Sequence, residues 1–129
     1  MPTSQAVTSG IRVEVESVYV PERSRPSSDE WYFVYHVKIS NESKRTVQLL
    51  SRHWIITDAN GNVQEVRGPG VVGQQPILPP GASHEYASSC PLRTSFGTMH
   101  GTYQMVWEGG SSFDVEIAPF ALGDPQTIN

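Results

Sequence analysis

The sequence has a single cysteine, Cys90, in 129 residues. One thiol excludes an intrachain disulfide and a cysteine-based zinc site. No apolar run approaches the roughly 20 residues of a membrane span. Positive charge is also scarce, with 9 Lys+Arg against 13 Asp+Glu and a net charge of −4. Beyond Arg67 the only basic residue is Arg93, so no stretch carries the basic footprint that nucleic acid requires. Residues 1–10 are polar and lack the apolar run of a signal peptide. A single cytoplasmic domain with neither a membrane span nor nucleic acid is the expectation from these absences.

What is present points to strands. Eleven glycines and ten prolines work against long helices. Apolar residues alternate with polar ones at period two. Ile11, Val13 and Val15 face one way, and Arg12, Glu14 and Glu16 face the other. Trp31, Phe33, Tyr35, Val37 and Ile39 make five successive same-face positions, and Phe113, Val115 and Ile117 repeat the period. Strands are predicted at 11–19, 31–40, 46–50, 53–58, 62–66, 84–89, 102–107 and 112–118. Asn60-Gly61 predicts a tight hairpin turn with both residues at positive φ, and Gly109-Gly110 predicts another turn. Residues 21–29, with two prolines and four charges, read as a mobile loop. About seven or eight strands with this punctuation predict an all-β, antiparallel two-sheet sandwich. Without the immunoglobulin disulfide, the fibronectin type III variant is the closer of the two, and an open barrel is the alternative. The sandwich domain is expected over 10–120, with flexible tails at 1–9 and 121–129.

Candidate sites are few. Gly68, Gly70 and Gly73 form a G-x-G-x-x-G pattern, which cradles pyrophosphate when it joins a strand to a helix. Pro76, Pro79 and Pro80 follow and forbid that helix. The pattern therefore reads as an inter-strand loop, with an amide nest for a small phosphate as the alternative. Arg67, Arg52 or Arg93 would supply its charge. His36, His53, His84 and His100 lack zinc-ligand spacing. Converging histidines for Co²⁺, or Asp58, Asp114 and Glu116 for Mg²⁺, form the weakest site reading, so no metal or other cofactor is assigned. Cys90 reads as an idle thiol, and Asp58 as a side chain holding the amides of its turn. The serines lack a nucleophile elbow and no carboxylates pair at catalytic spacing, so no catalytic set is assigned. The strand from Trp31 is apolar or aromatic on both faces, through Tyr32 and Val34 on the second. Such a strand is either covered or presents a patch to a partner, with Trp31 and Tyr32 as contact residues.

Two long stretches carry a resemblance. Arg52-His-Trp54-Ile-Ile-Thr-Asp58, Asn60-Gly61 and Val66-Arg-Gly68-Pro-Gly70-Val-Val-Gly73 through Gly81 form the first. Phe96-Gly97-Thr-Met99-His-Gly101-Thr-Tyr103 and Phe113 through Phe120 belong to the second. Over about residues 8–122 the chain resembles the ApaG domain family, in its stand-alone bacterial form. The resemblance implies a fibronectin-III-like sandwich and a link to cobalt resistance and magnesium efflux. It implies no catalytic activity. Its eukaryotic uses, beside an F-box and in a polymerase-delta-interacting protein, imply protein binding. The expectation is a non-enzymatic binding or adaptor module for an unidentified protein partner. A sensor of phosphate, pyrophosphate or a dinucleoside polyphosphate, using loop 68–73, is the alternative.

Overall fold

A computed structural model describes residues 2–124. Nine strands make up two antiparallel sheets. They are β1 Thr3–Thr8, β2 Ile11–Tyr19, β3 Trp31–Asn41, β4 Val47–Asp58, β5 Val63–Pro69, β6 Ile77–Leu78, β7 Ser83–Leu92, β8 Phe96–Trp107 and β9 Ser112–Gly123. One sheet has the order β1-β2-β3-β7, the other β5-β4-β8-β9, and β6 pairs with β4. The sandwich expected from the alternation is present. Its core lies between the sheets, where Ile11, Val13, Phe33, Val37, Leu49 and Tyr103 are fully buried. None of the described helices is long and apolar enough to cross a membrane.

Several boundaries differ from the sequence expectation, each for a local reason. Residues 1–9 were expected as a tail, yet Thr3–Thr8 is an edge strand paired with β2. The hairpin is closed by Ser9 at φ 50° and Gly10 at φ 84°, a two-residue turn with both residues left-handed. The edge position explains the weak pattern, because a strand with one neighbour needs little apolar surface. At the other end β9 runs to Gly123, so 121–123 are strand rather than tail, and 125–129 lie outside the described residues. The prolines of 21–29 form two 3-10 turns, Pro21–Arg23 and Pro26–Ser28, closed by an Arg25–Glu30 bridge. The Asn60-Gly61 hairpin forms, but only Gly61 has positive φ and the loop is longer than two residues.

Two bulges explain the rest. The segments 46–50 and 53–58 are one strand, β4. Leu49 faces Met105 while Ser51 faces Gln104, so Leu50 is an extra residue. The bulge resets which residues face inward. Val47 and Leu49 point to the core before it, and Trp54 and Ile56 after it. On β9, Ala118 and Pro119 together oppose His100, and the inward set changes from Val115 and Ile117 to Phe120 and Leu122. Pro119 is accommodated because a bulged residue owes the ladder no N–H. β8 begins at Phe96 rather than 102, because Gly97 and Gly101 there read as loop. A Cβ at Gly101 would overlap the His53 carbonyl oxygen, so the glycine belongs to the close pairing of β8 with β4.

Candidate functional site

The bulge at Leu50 turns the face shared by Arg52 and Trp54 inward. Both line a cleft of about 210 Å³ where β4 and β5 face the end of β7. Tyr35, Gln64, Val66 and Ser88 line it too. Trp54 is 2% exposed and packs edge-on against Tyr35 at 5.2 Å, Phe120 at 5.9 Å and Tyr103 at 6.3 Å between ring centres. These contacts fix the indole, yet its Nε1–H has no hydrogen-bond acceptor among the described residues. A buried donor left unpaired costs about 1–3 kcal/mol.

Arg52 is held by the glycine segment. Its Nη1 donates to the carbonyl oxygens of Pro69 and Gly70, both at 2.9 Å. A Cβ on Gly68 would lie 2.9 Å from both Nη1 and Nη2, so the missing side chain is the seat of the guanidinium. Next to it the Tyr86 and Tyr103 hydroxyls share a very short hydrogen bond. Burial raises the pKa of Tyr35, Tyr86 and Tyr103, and the charge of Arg52 works in the opposite direction on all three.

The G-x-G-x-x-G residues do separate jobs. Gly68 lies in β5 opposite Arg52. Gly70 has φ 61°, and a Cβ there would overlap the Gln74 carbonyl oxygen. Val72 at φ 47° and Gly73 at φ 76° make a tight turn closed by reciprocal bonds between Val71 and Gln74. The amide of Gly70 donates to Leu50 and that of Val71 to Gln74. Arg67 has a 73% exposed side chain, 3.8 Å from Glu65. The arginine in contact with this segment is therefore Arg52, and it meets carbonyl oxygens.

Trp31 and Tyr32 line a second groove of about 410 Å³ beside the 3-10 turns, together with Arg23, Leu92 and Arg93. Both aromatics are half-buried, and the Arg23 guanidinium lies 4.5 Å above the Tyr32 ring. The second aromatic face of β3 is thus covered in part, at its first turn of chain. Further along, the outer face carries exposed His36 and Lys38.

The remaining candidates lie apart. His53 Nε2 is 2.7 Å from Glu65 Oε1, His36 is 3.5 Å from Glu85, and His84 stacks on Tyr86. Among the described residues no three His, Cys, Asp or Glu side chains come close enough to hold a metal ion. Asp58 accepts from the amides of Asn60 at 2.9 Å and Asn62 at 3.0 Å, the turn role its position predicts. Burial opposes ionisation there, but these bonds outweigh it and hold the carboxyl below its usual range. Burial pushes the Cys90 thiol up to about 11, far from an activated nucleophile. The sequence pattern shows the glycines but not their separate roles. Nor does it pair Trp54 with Tyr35, which meet across the sandwich.

Comparison with known proteins covers most of the chain. The profile of the ApaG domain family matches residues 21–107. Protein ApaG of Brucella suis biovar 1 is 55% identical over 121 residues, covering 94% of this chain and 93% of the relative. The Brucella anthropi protein of the same name is 53% identical over 122 residues, covering 95% and 94%. A crystal structure of a Bordetella pertussis protein described as ApaA superposes with a TM-score of 0.88 at 53% identity, covering 90% of this chain and 94% of that one.

Proposed function

The chain belongs to the ApaG domain family, and from that premise we propose that it is a non-enzymatic binding module that recognises another protein through the groove at Trp31 and Tyr32. The groove itself carries the reading. It sets two half-buried aromatic rings beside Arg23 and Arg93, and Arg93 has no side-chain partner among the described residues. Aromatic and arginine side chains are the groups that dominate protein contacts. The groove also borders β7, an edge strand to which an extended segment can add by main-chain hydrogen bonds. A link to cobalt resistance and magnesium efflux would run through such a partner, which a chain of this architecture can reach from the cytoplasm.

The test is affinity capture followed by binding measurement with the captured protein. Tyr32→Ala and Arg93→Glu should each weaken binding by about tenfold, a hot-spot loss of roughly 1.4 kcal/mol or more. Arg93→Glu changes an exposed side chain, so its melting temperature should match the parent, whereas Tyr32→Ala removes a half-buried ring and should lower it modestly. Equal binding by both variants would remove the groove from the reading.

A phosphate sensor at Gly68, Gly70 and Gly73 with Arg67 is the second reading. It draws on the tip of the hairpin, where the amides of Val72 and Gly73 have no backbone acceptor among the described residues. Titration with pyrophosphate or diadenosine tetraphosphate should then move those two amide signals and the Arg67 side chain. Unmoved signals at millimolar ligand would sink it.

A further inference from the structure

The cleft beside Trp54 has a chemistry that neither the groove nor the hairpin tip shares. Among the described residues Arg52 is the one charged side chain lining it, and no Asp or Glu does. Its Nη1 is tied to two backbone carbonyls, while Nη2 and Nε have no partner among the described residues. The other polar groups are donors or can act as donors: the unpaired indole Nε1–H of Trp54, the hydroxyls of Tyr35 and Ser88, and the amide of Gln64. Ile56, Val66 and Met99 supply apolar wall. At about 210 Å³ the space equals roughly seven waters of liquid volume.

We propose that this cleft binds a carboxylate on a short apolar stem, with Arg52 as its counter-charge. The charge count selects the group. One guanidinium matches one negative charge, and its free Nη2–Nε edge has the planar fork geometry of a bidentate carboxylate pair. A phosphate monoester brings about −1.5 to −2 and would leave charge uncompensated in a site with no second cation. The apolar wall favours a carbon stem over a bare inorganic ion. The carboxylate can come from a free small acid or from an acidic side chain of a polypeptide, and the experiment separates the two.

The experiment is amide and side-chain NMR on the full chain, with sodium butyrate, acetyl-Ala-Asp-Ala-amide and inorganic phosphate as separate probes. The Trp54 indole signal is assigned by its loss in Trp54→Phe, which distinguishes it from Trp31 and Trp107. Butyrate or the peptide should move the Trp54 Nε1–H and Arg52 Nε–H signals saturably. Arg52→Gln should weaken that binding by about tenfold or more, because it removes the one cation. Gly68→Ala should weaken it too, by pushing the guanidinium off its seat. That substitution meets only the far end of a flexible side chain, so its melting temperature should stay within a few degrees, and it keeps the test valid if Arg52→Gln unfolds. Tighter binding of the peptide assigns the site to polypeptide recognition, and tighter binding of butyrate to a free acid. Three results overturn the proposal: no saturable shift at roughly 50 mM carboxylate, unchanged binding in both variants, or phosphate moving the same two signals more tightly than either carboxylate.

Discussion

The two long sides of the sandwich are built differently. On one side β1 and β2 lie against β9 and are bonded to it across the sheets. Ser17 Oγ donates to the Ala121 carbonyl at 2.6 Å, and the Glu116 amide donates to Thr8 Oγ1 at 3.1 Å. Ser17 is 1% exposed, so its hydroxyl is buried with its acceptor in place. On the other side β5 and β7 face each other with no hydrogen bond between them among the described residues, and the cleft of Arg52 and Trp54 lies there. Both sides use the same alternation of strand residues. Each side keeps one buried polar atom without a partner among the described residues, Ser4 Oγ on β1 and Trp54 Nε1 at the cleft. The difference is that Ser4 lines a hollow with both signs of charge, Glu14, Glu16, Lys38 and Glu85, whereas among the described residues Arg52 is the sole charge lining the cleft. Unsatisfied buried polar groups are rare in folded chains, and the unopposed cation beside one of them marks the open side as the candidate site.

The largest expected effect tests that contrast through stability. Leu122 is fully buried on the closed side. Leu122→Ala should cost about 2–5 kcal/mol, since it removes packed methyl groups and leaves a cavity. Val66 is only partly buried and lines the open cleft. Val66→Ala should cost under about 1 kcal/mol, because the site already borders space that water can enter. Urea unfolding of both variants measures the difference. Equal costs would mean that the open side is as tightly packed as the closed one.

How far the sequence can be read follows strand position and bulges rather than the two sides. Central strands such as β3 are legible because each inward residue from Phe33 to Ile39 answers a two-residue period. β1 is not, because an edge strand of Thr, Ser and Gln carries little apolar signal. The bulges at Leu50 and at Ala118-Pro119 reverse the inward phase, so one strand reads as two or stops early. The site depends on that reversal, since it turns the face shared by Arg52 and Trp54 toward the core. Arg52 is one of three arginines the sequence offers to the glycine segment, but only the geometry shows it seated on Gly68. The cleft itself needs partners from both sheets, and no local pattern encodes that pairing.

A smaller effect should appear at alkaline pH. Burial raises the pKa of Tyr86 and Tyr103, the hydrogen-bonded pair joining β7 to β8 across the core. A phenol whose pKa is raised by folding contributes fully below the unfolded value near 10 and loses that contribution as pH climbs past it. Stability should therefore be insensitive to these two groups between about pH 6 and 9 and fall above about pH 10. Tyr86→Phe removes one of the ionising groups and should make the fall shallower. Urea midpoints across that range decide it, and an identical alkaline slope in Tyr86→Phe would count against a buried pair.

The smallest effect has the opposite sign and lies at the rim of the open side. Val72 holds φ 47° at the hairpin tip, a left-handed conformation that a β-branched side chain disfavours. The residue is 63% exposed, so little packing compensates the strain. Val72→Gly should therefore stabilise the protein by about 0.5–1 kcal/mol, the strain relieved exceeding the extra chain entropy of glycine. Two positions earlier the sign reverses. Gly70→Ala should cost about 2 kcal/mol, because positive φ is combined with a Cβ overlapping the Gln74 carbonyl. Thermal unfolding of the two variants gives both signs. If Val72→Gly instead destabilises, the valine is held by something at that rim worth more than its backbone strain. An apolar contact at the hairpin tip would then join the list of features that distinguish the open side from the closed one.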